Sequence, residues 1–482
     1  MSNESSTRLS AAAHPYRTGR VVGLAGTAAL GGFLFGFDSA VINGASAAIK
    51  ETFGLSSFAL GFVVSIALIG SAIGAWFAGW LAEHYGRRRV MLIAAGLFMV
   101  SAIGQGFPIG VLDLCLWRFI GGAGIGVASV MAPMYIAEIA PAQLRGRMGA
   151  LQQLAIVIGI FATGLTNFFI LNAAGGNSMN PWFLGLPAWR WMFLSMVIPA
   201  LIYGALAYRL PESPRYLIAV GKDEEAKRVL AQIYTDDVAA RVAGIKASMD
   251  AQRHSGLGDL RGHRFGLLPI VWIGITLSAF QQFVGINAVF YYSNTIWEAV
   301  GFSQDQAFET SLITTGVNVA FTVVAITLID RVGRKPLLLV GSIGMVTMLA
   351  SLTYVFGTAA VNAEGQPVLT DGPDIIAMVA LNLYVAFFAA TWGPVIWVLL
   401  GEMFPNRIRA AALALAAAAQ WIANFLVSTA FPPLANISLG LAYSIFTAFA
   451  LLSIPFVIRH VHETKGIELE DMDRVEADLL DA

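Results

Sequence analysis

Ala279 to Ser293 reads A-F-Q-Q-F-V-G-I-N-A-V-F-Y-Y-S and lies inside an apolar run long enough to cross a bilayer. Five polar side chains share this one span: Gln281, Gln282, Asn287, Tyr291 and Tyr292. In hydrocarbon a polar atom must find a protein or water partner. These side chains are therefore expected to face a wet cavity in the protein interior, where polar residues mark function. The competing reading is that the amides only tie helices together. Gly285 stands between the Gln pair and Asn287, where a missing side chain lets the helix loosen and its backbone approach a ligand.

Composition agrees with a membrane setting. Of 482 residues, 57% are hydrophobic and only 12% charged, against about 25% charged in soluble domains. A net charge of −1 leaves no electrostatic footprint for nucleic acid. The single cysteine, Cys115, excludes an intramolecular disulfide and a thiolate metal cage, and in an apolar helix it reads as packing. Residues 1–20 are polar and lack a short apolar core with a cleavage site, so they read as a retained tail.

Apolar segments of spanning length fall near 21–43, 58–82, 90–108, 111–136, 148–172 and 190–209, then near 267–296, 307–329, 336–358, 374–400, 410–431 and 438–459. The expected organisation is a tail (1–20), a six-helix bundle (21–210), a linker of short amphipathic helices (211–265), a second six-helix bundle (266–459) and a second tail (460–482). Short loops after segments 2, 4, 8 and 10 carry Arg87 to Arg89, Arg145 and Arg147, Arg331 to Lys335, and Arg407 and Arg409. The intervening loops are nearly bare of cations, so the basic side, both termini and the linker are expected in the cytoplasm of a multi-pass cell-membrane protein.

The halves repeat each other. E-H-Y-G-R-R-R at Glu83–Arg89 returns as D-R-V-G-R-K-P at Asp330–Pro336, and A-E-I-A-P-A-Q-L-R at Ala137–Arg145 as G-E-M-F-P-N-R-I-R at Gly401–Arg409. P-E-S-P-R at Pro211–Arg215 has a looser echo in H-E-T-K-G at His462–Gly466. Two similar bundles can rock about a central site and expose it to each side in turn, which points to transport. No Walker loop, H-E-x-x-H or metal-ligand cluster suggests an enzyme, a metal or a cofactor, and the Gly-rich run Gly121–Gly126 reads as close helix packing.

Taken in order, these motifs together with Q-Q-F-V-G-I-N resemble the sugar porter family of the major facilitator superfamily, from Gly31 to Gly466. W-G-P-V-I-W at Trp392–Trp397 and A-A-Q-W-I-A-N at Ala418–Asn424 are most similar to its bacterial proton–sugar symporters and less so to the facilitative glucose transporters. The resemblance implies an all-α protein of twelve transmembrane helices, without a cofactor, expected to work as a monomer in a bacterial inner membrane. It also implies that Gln153, Gln281, Gln282, Asn287, Asn318, Trp397 and Gln420 contact a monosaccharide, with Phe35, Tyr291 and Tyr292 as candidate gates. Chemistry supports the amides independently: sugar hydroxyls both donate and accept, as uncharged amides do. Trp397 offers an apolar face for a sugar ring.

Asp38 and Arg118 lie near the same depth on two antiparallel segments, where an unpaired charge costs roughly 2.5–3.5 kcal/mol. They are either a static ion pair or, as the symporter resemblance implies, a switch in which Asp38 takes up the coupling proton when it leaves Arg118. Glu83, Arg87, Glu138, Arg145, Glu212, Arg215, Asp330, Arg334, Glu402 and Arg409 resemble the family's inner-face charge network. His84, Ala410 and His462 depart from its pattern. The expected activity is proton-coupled uptake of a monosaccharide such as xylose or glucose. The rivals are a sugar uniporter and a non-transporting sugar sensor.

Overall fold

The computed structural model describes residues 16–235, 238–251, 260–262, 266–361, 367–369, 372–405 and 408–465. The first six spans are α1 (Thr18–Phe53), α2 (Ser57–Tyr85), α3 (Arg87–Gly106), α4 (Val111–Ile139), α5 (Ala142–Ala173) and the pair α6 (Ala188–Leu194) and α7 (Val197–Arg209). Short helices α8 (Pro214–Ala219), α9 (Asp223–Ile233) and α10 (Val238–Ala251) follow. The second six are α11 (Pro269–Phe283) with α12 (Ile286–Ala299), α13 (Gln304–Val332), α14 (Arg334–Gly357), α15 (Pro373–Ala390) with α16 (Trp392–Met403), α17 (Arg409–Ile437) and α18 (Leu439–His460). A two-stranded ribbon, Ala360–Val361 against Pro367–Val368, sits between α14 and α15.

Two spans are broken beside functional residues, for local reasons. Between α11 and α12, Gly285 adopts φ 88°, and a Cβ there would run into the Phe446 ring. The loosening expected from Gly285 is therefore a full break, and Tyr384 Oη donates to the freed Val284 carbonyl at 2.7 Å. The second break, at Thr391, was not foreseen, since 374–400 reads as one span. Thr391 takes φ −135° and ψ −90°. Pro394 lacks the N–H that would have bonded Ala390 one turn earlier, which favours a break there.

Glycines set the helix spacing in the first bundle. A Cβ on Gly122 would strike the Ala67 carbonyl, and one on Gly126 the Ser71 carbonyl, so α4 lies backbone to backbone against α2 as the Gly-rich run suggested. The apolar side chains form two cores. One fills the basic end of the first bundle and takes in Leu217, Ile218, Val229, Leu230 and Ile233 of α8 and α9, so the linker helices seal that bundle. The other unites the second bundle with the opposite end of the first, from Val41 and Ile49 through Val63 to Trp189. The bundles are thus fused at the end away from Arg87 and Arg334.

Candidate functional site

The broken span places its amides in one connected chain. Asn287 Nδ2 donates to Gln282 Oε1 at 2.6 Å, and Gln282 Nε2 donates to Gln281 Oε1 at 3.4 Å. Gln281 Nε2 is spent on the carbonyls of Trp392 and Gly393, at 3.0 and 3.1 Å, beside the α15–α16 break. Gln420 Nε2 reaches Gln281 Oε1 from α17 at 2.7 Å. Gln281 and Gln282 are buried, whereas Asn287 and Gln420 are half-buried and Trp397 is 39% exposed. Four uncharged amides from three helices suit a ligand that offers several hydroxyls.

The other expected site residues are placed less tightly. Gln153 is half-buried on α5, and Asn318 is buried on α13; neither joins the amide chain. Phe35 meets Trp421 of the second bundle with ring centroids 5.8 Å apart. Tyr291 and Tyr292 tie α12 to α17: Asn424 Nδ2 donates to Tyr291 Oη at 3.4 Å, and Tyr292 Oη donates to the Ser428 carbonyl at 2.8 Å.

Asp38 and Arg118 are both buried, but they form no ion pair within 4.0 Å. Arg118 Nη2 donates to the Val64 carbonyl at 2.9 Å, while both Asp38 oxygens lack a hydrogen-bond partner. The geometry is that of a pair held apart, and a buried carboxylate without a donor is costly unless a proton neutralises it.

At the basic end the repeat is visible atom by atom. Arg87 grips Glu138 through Nε and Nη2 at 2.9 and 2.7 Å, and Arg334 grips Glu402 at 3.0 and 2.8 Å. Glu212 accepts the Arg87 N–H at 2.8 Å, as Glu463 accepts that of Arg334 at 2.9 Å. The loose echo of P-E-S-P-R is therefore an equivalence at its carboxylate. Gly86 and Gly333, at φ 85° and 105°, make the turns that admit these carboxylates; a Cβ on either would meet one. Each of these pairs stays within its own bundle. Arg409 Nε donates to the Phe404 carbonyl at 3.1 Å, and Glu83 is exposed. Arg215 starts α8. The side chains of Arg145 and Asp330 lie outside the described residues, as do 1–15 and 466–482 of the tails.

Residues that the sequence reading passed over join the bundles at the far end. Asn43 Nδ2 donates to Asn294 Oδ1 at 3.3 Å, Asn294 N to Asn43 Oδ1 at 3.0 Å, and Asn294 Nδ2 to the Asn43 carbonyl at 3.4 Å. Ser46 pairs with Thr295, Ser65 with Thr429, Ser57 with Asn436, and Gln304 with Ser178. A small cavity of about 20 Å³ adjoins this seam, lined by Asn43, Asn167, Asn294 and Thr315 together with apolar Ile160, Phe290 and Phe308. Polar residues inside apolar spans were the available signal, but their partners lie more than 100 positions away.

A family model described as "Sugar (and other) transporter" matches residues 24–475. The chain belongs to the sugar transporter family. Within it, this transporter is 53% identical over 450 residues to the glucose transport protein of Synechocystis, covering 93% of the chain and 96% of that relative. It is 39% identical over 492 residues to the D-xylose-proton symporter of Escherichia coli, covering 95% and 96%. Among solved structures, the inward-open conformation of the E. coli xylose transporter XylE matches with a TM-score of 0.80 at 37% identity, covering 94% of this chain and 99% of that one. XylE bound to 6-bromo-6-deoxy-D-glucose gives 0.78 at 38% identity, covering 95% and 100%. The major facilitator architecture of two six-helix bundles holds for this transporter throughout.

Proposed function

We propose that this protein carries a monosaccharide of the glucose–xylose class across the membrane together with a proton, by alternating access. The observation that carries the reading is the continuous amide chain Asn287–Gln282–Gln281–Gln420 at the broken span, with Trp397 of α16 as the proposed stacking face. In this reading Gln153 and Asn318 complete the sugar site from neighbouring helices, and Phe35, Tyr291 and Tyr292 gate it. The basic end faces the cytoplasm. The far-end seam then makes this an inward-facing form. Relatives named for glucose transport and for D-xylose–proton symport support the substrate class and the coupling.

Asp38 supplies the coupling site. Near Arg118 the carboxyl is held as an anion; apart from it, as here, the buried group is neutralised by a proton. Asp38→Asn imitates the protonated side chain and leaves the amides untouched. The variant is expected to exchange labelled sugar across proteoliposomes but not to accumulate it under an imposed pH gradient. Accumulation surviving intact in Asp38→Asn would remove the proton from this site. A wild type that only equilibrates sugar would make the protein a uniporter.

A further inference from the structure

The loop between α5 and α6, residues 174–187, carries no charged side chain, yet it exposes Trp182, Phe183 and Leu184 in succession. Single exposed apolar residues are ordinary, but a contiguous patch with two aromatic rings marks a surface that something covers. Leu184 is 77% exposed and takes φ 56° and ψ 22°, the only positive φ outside glycine among the described residues. That left-handed conformation crowds a Cβ, and glycine or asparagine would hold the same turn at less cost. A side chain this exposed gains little from the protein's own core, so its gain lies in what covers the tip.

Backbone bonds close the loop into a hairpin: the Ala188 N–H donates to the Asn180 carbonyl at 3.0 Å, and the Trp182 N–H to the Leu186 carbonyl at 2.8 Å. The tip folds back along a spanning helix. Trp191, in the span Ala188–Arg209, donates its indole N–H to the Phe183 carbonyl at 2.8 Å. Its ring also meets those of Phe183 and Trp182, with centroids 5.2 and 6.0 Å apart. Ser195 and Met196 keep right-handed helical angles between α6 and α7, so the helical phase runs on through the join. Trp191, Ile198 and Ile202 then share one face, at spacings of seven and four positions. Ile198 and Ile202 are exposed there, and on a membrane span an exposed apolar face is the wall that meets lipid. The patch is therefore continuous with that wall and sits at its far-end rim, where aromatic rings gather. At the base of the hairpin the Ser178 N–H donates to Gln304 Oε1 at 3.1 Å, and Gln304 Nε2 donates to Ser178 Oγ at 3.0 Å.

We infer that the α5–α6 loop is a membrane anchor: Trp182, Phe183 and Leu184 lie in the boundary between headgroups and acyl chains of the leaflet at the far end. The patch is covered by the bilayer's own lipid. Apolar rings and a leucine on an uncharged loop suit that boundary, because they bury area there without carrying a charge into it. Ser178 belongs to the same hairpin, so the anchor holds the first bundle's half of the Ser178–Gln304 clasp at a fixed depth. The anchor depends on neither the sugar nor the coupling proton.

The test is the accessibility of cysteines at the tip in a Cys115→Ala background, with the purified protein reconstituted one copy per lipid nanodisc. Spin labels on Phe183→Cys and Leu184→Cys are expected to collide more with oxygen, which gathers among acyl chains, than with a water-soluble nickel chelate. A label on Ile198→Cys sets the lipid reference. A label on Asn177→Cys, exposed at the base of the hairpin, is expected to favour the chelate. A charged maleimide should modify Leu184→Cys about tenfold more slowly than Asn177→Cys, since the reactive thiolate is disfavoured away from water. Reading two neighbouring tip positions keeps one badly folded variant from deciding the outcome. Labels at both tip positions that favour the chelate, as at Asn177→Cys, overturn the inference. Protection found in protein-dense vesicles but absent from single-copy nanodiscs also overturns it, because a second copy of the chain would then be the cover.

Discussion

The far-end seam makes a quantitative prediction at Asn43. Its side chain contributes two of the bonds to Asn294, one as donor at 3.3 Å and one as acceptor from the Asn294 backbone N–H at 3.0 Å. The third, to the Asn43 carbonyl, survives truncation. At about 0.5–1.5 kcal/mol net per bond, Asn43→Ala removes roughly 1–3 kcal/mol from the state in which the far end is closed. That is roughly a 5- to 150-fold change in the closed-to-open ratio. The two Asn43 side-chain bonds act only across the bundles, whereas Asn294 Oδ1 also accepts from Ser311 Oγ within the second bundle, so the loss in Asn43→Ala falls on the gate equilibrium as well as on global stability. Spin labels on cysteines at Ile109 and Ile437, both exposed at the far end, report the separation of the bundles in a Cys115→Ala background. The expected result is a longer-distance population in Asn43→Ala that is weak in wild type, with Asn294→Ala behaving alike. Distance distributions that coincide in all three proteins would refute the reasoning, and the seam would then be incidental to the equilibrium.

Further predictions concern the site and the basic end. Gln282→Ala and Asn287→Ala each cut the amide chain and are expected to weaken sugar binding severalfold in calorimetric titrations at near-normal protein yield; unchanged affinity in both would discard the site. Trp397→Ala is expected to weaken binding and Trp397→Phe to restore part of it, whereas no change in either would make Trp397 a packing residue. At Glu463 burial opposes the charge. Backbone N–H donors from Arg334, Lys465 and Lys335, with the Arg334 charge, outweigh it and hold the carboxyl below its ordinary range. Because the folded value lies below the unfolded one, this stabilisation is present above the usual Glu range and is lost as pH falls through the folded value. The unfolding temperature should therefore drop more steeply in wild type than in Glu463→Gln between about pH 7 and pH 3.5; parallel slopes would contradict that cap.

The spans, the two halves and the polar stretch Gln281–Tyr292 were legible in the sequence because the bilayer acts on local composition. A run of apolar residues either is or is not long enough, and a polar side chain inside it must be explained. The break at Gly285 was legible for the same local reason, while the one at Thr391 hid in a run that hydropathy alone scores as continuous. The charge grips at the basic end were legible as repeated motifs, since Arg87 with Glu138 and Arg334 with Glu402 are the same grip built twice. Two things were settled only by tertiary structure. Hydropathy treats α1 and α12 alike whichever end is closed, so the state of the molecule depended on Asn43 meeting Asn294, 251 positions away. Likewise Asp38 and Arg118 could be placed at one depth but not at one distance, because a few ångströms between two buried charges depend on how α1 packs on α4. Local physics sets what each helix must bury, whereas the pairing of what is buried is decided by the packing of helices far apart in the chain.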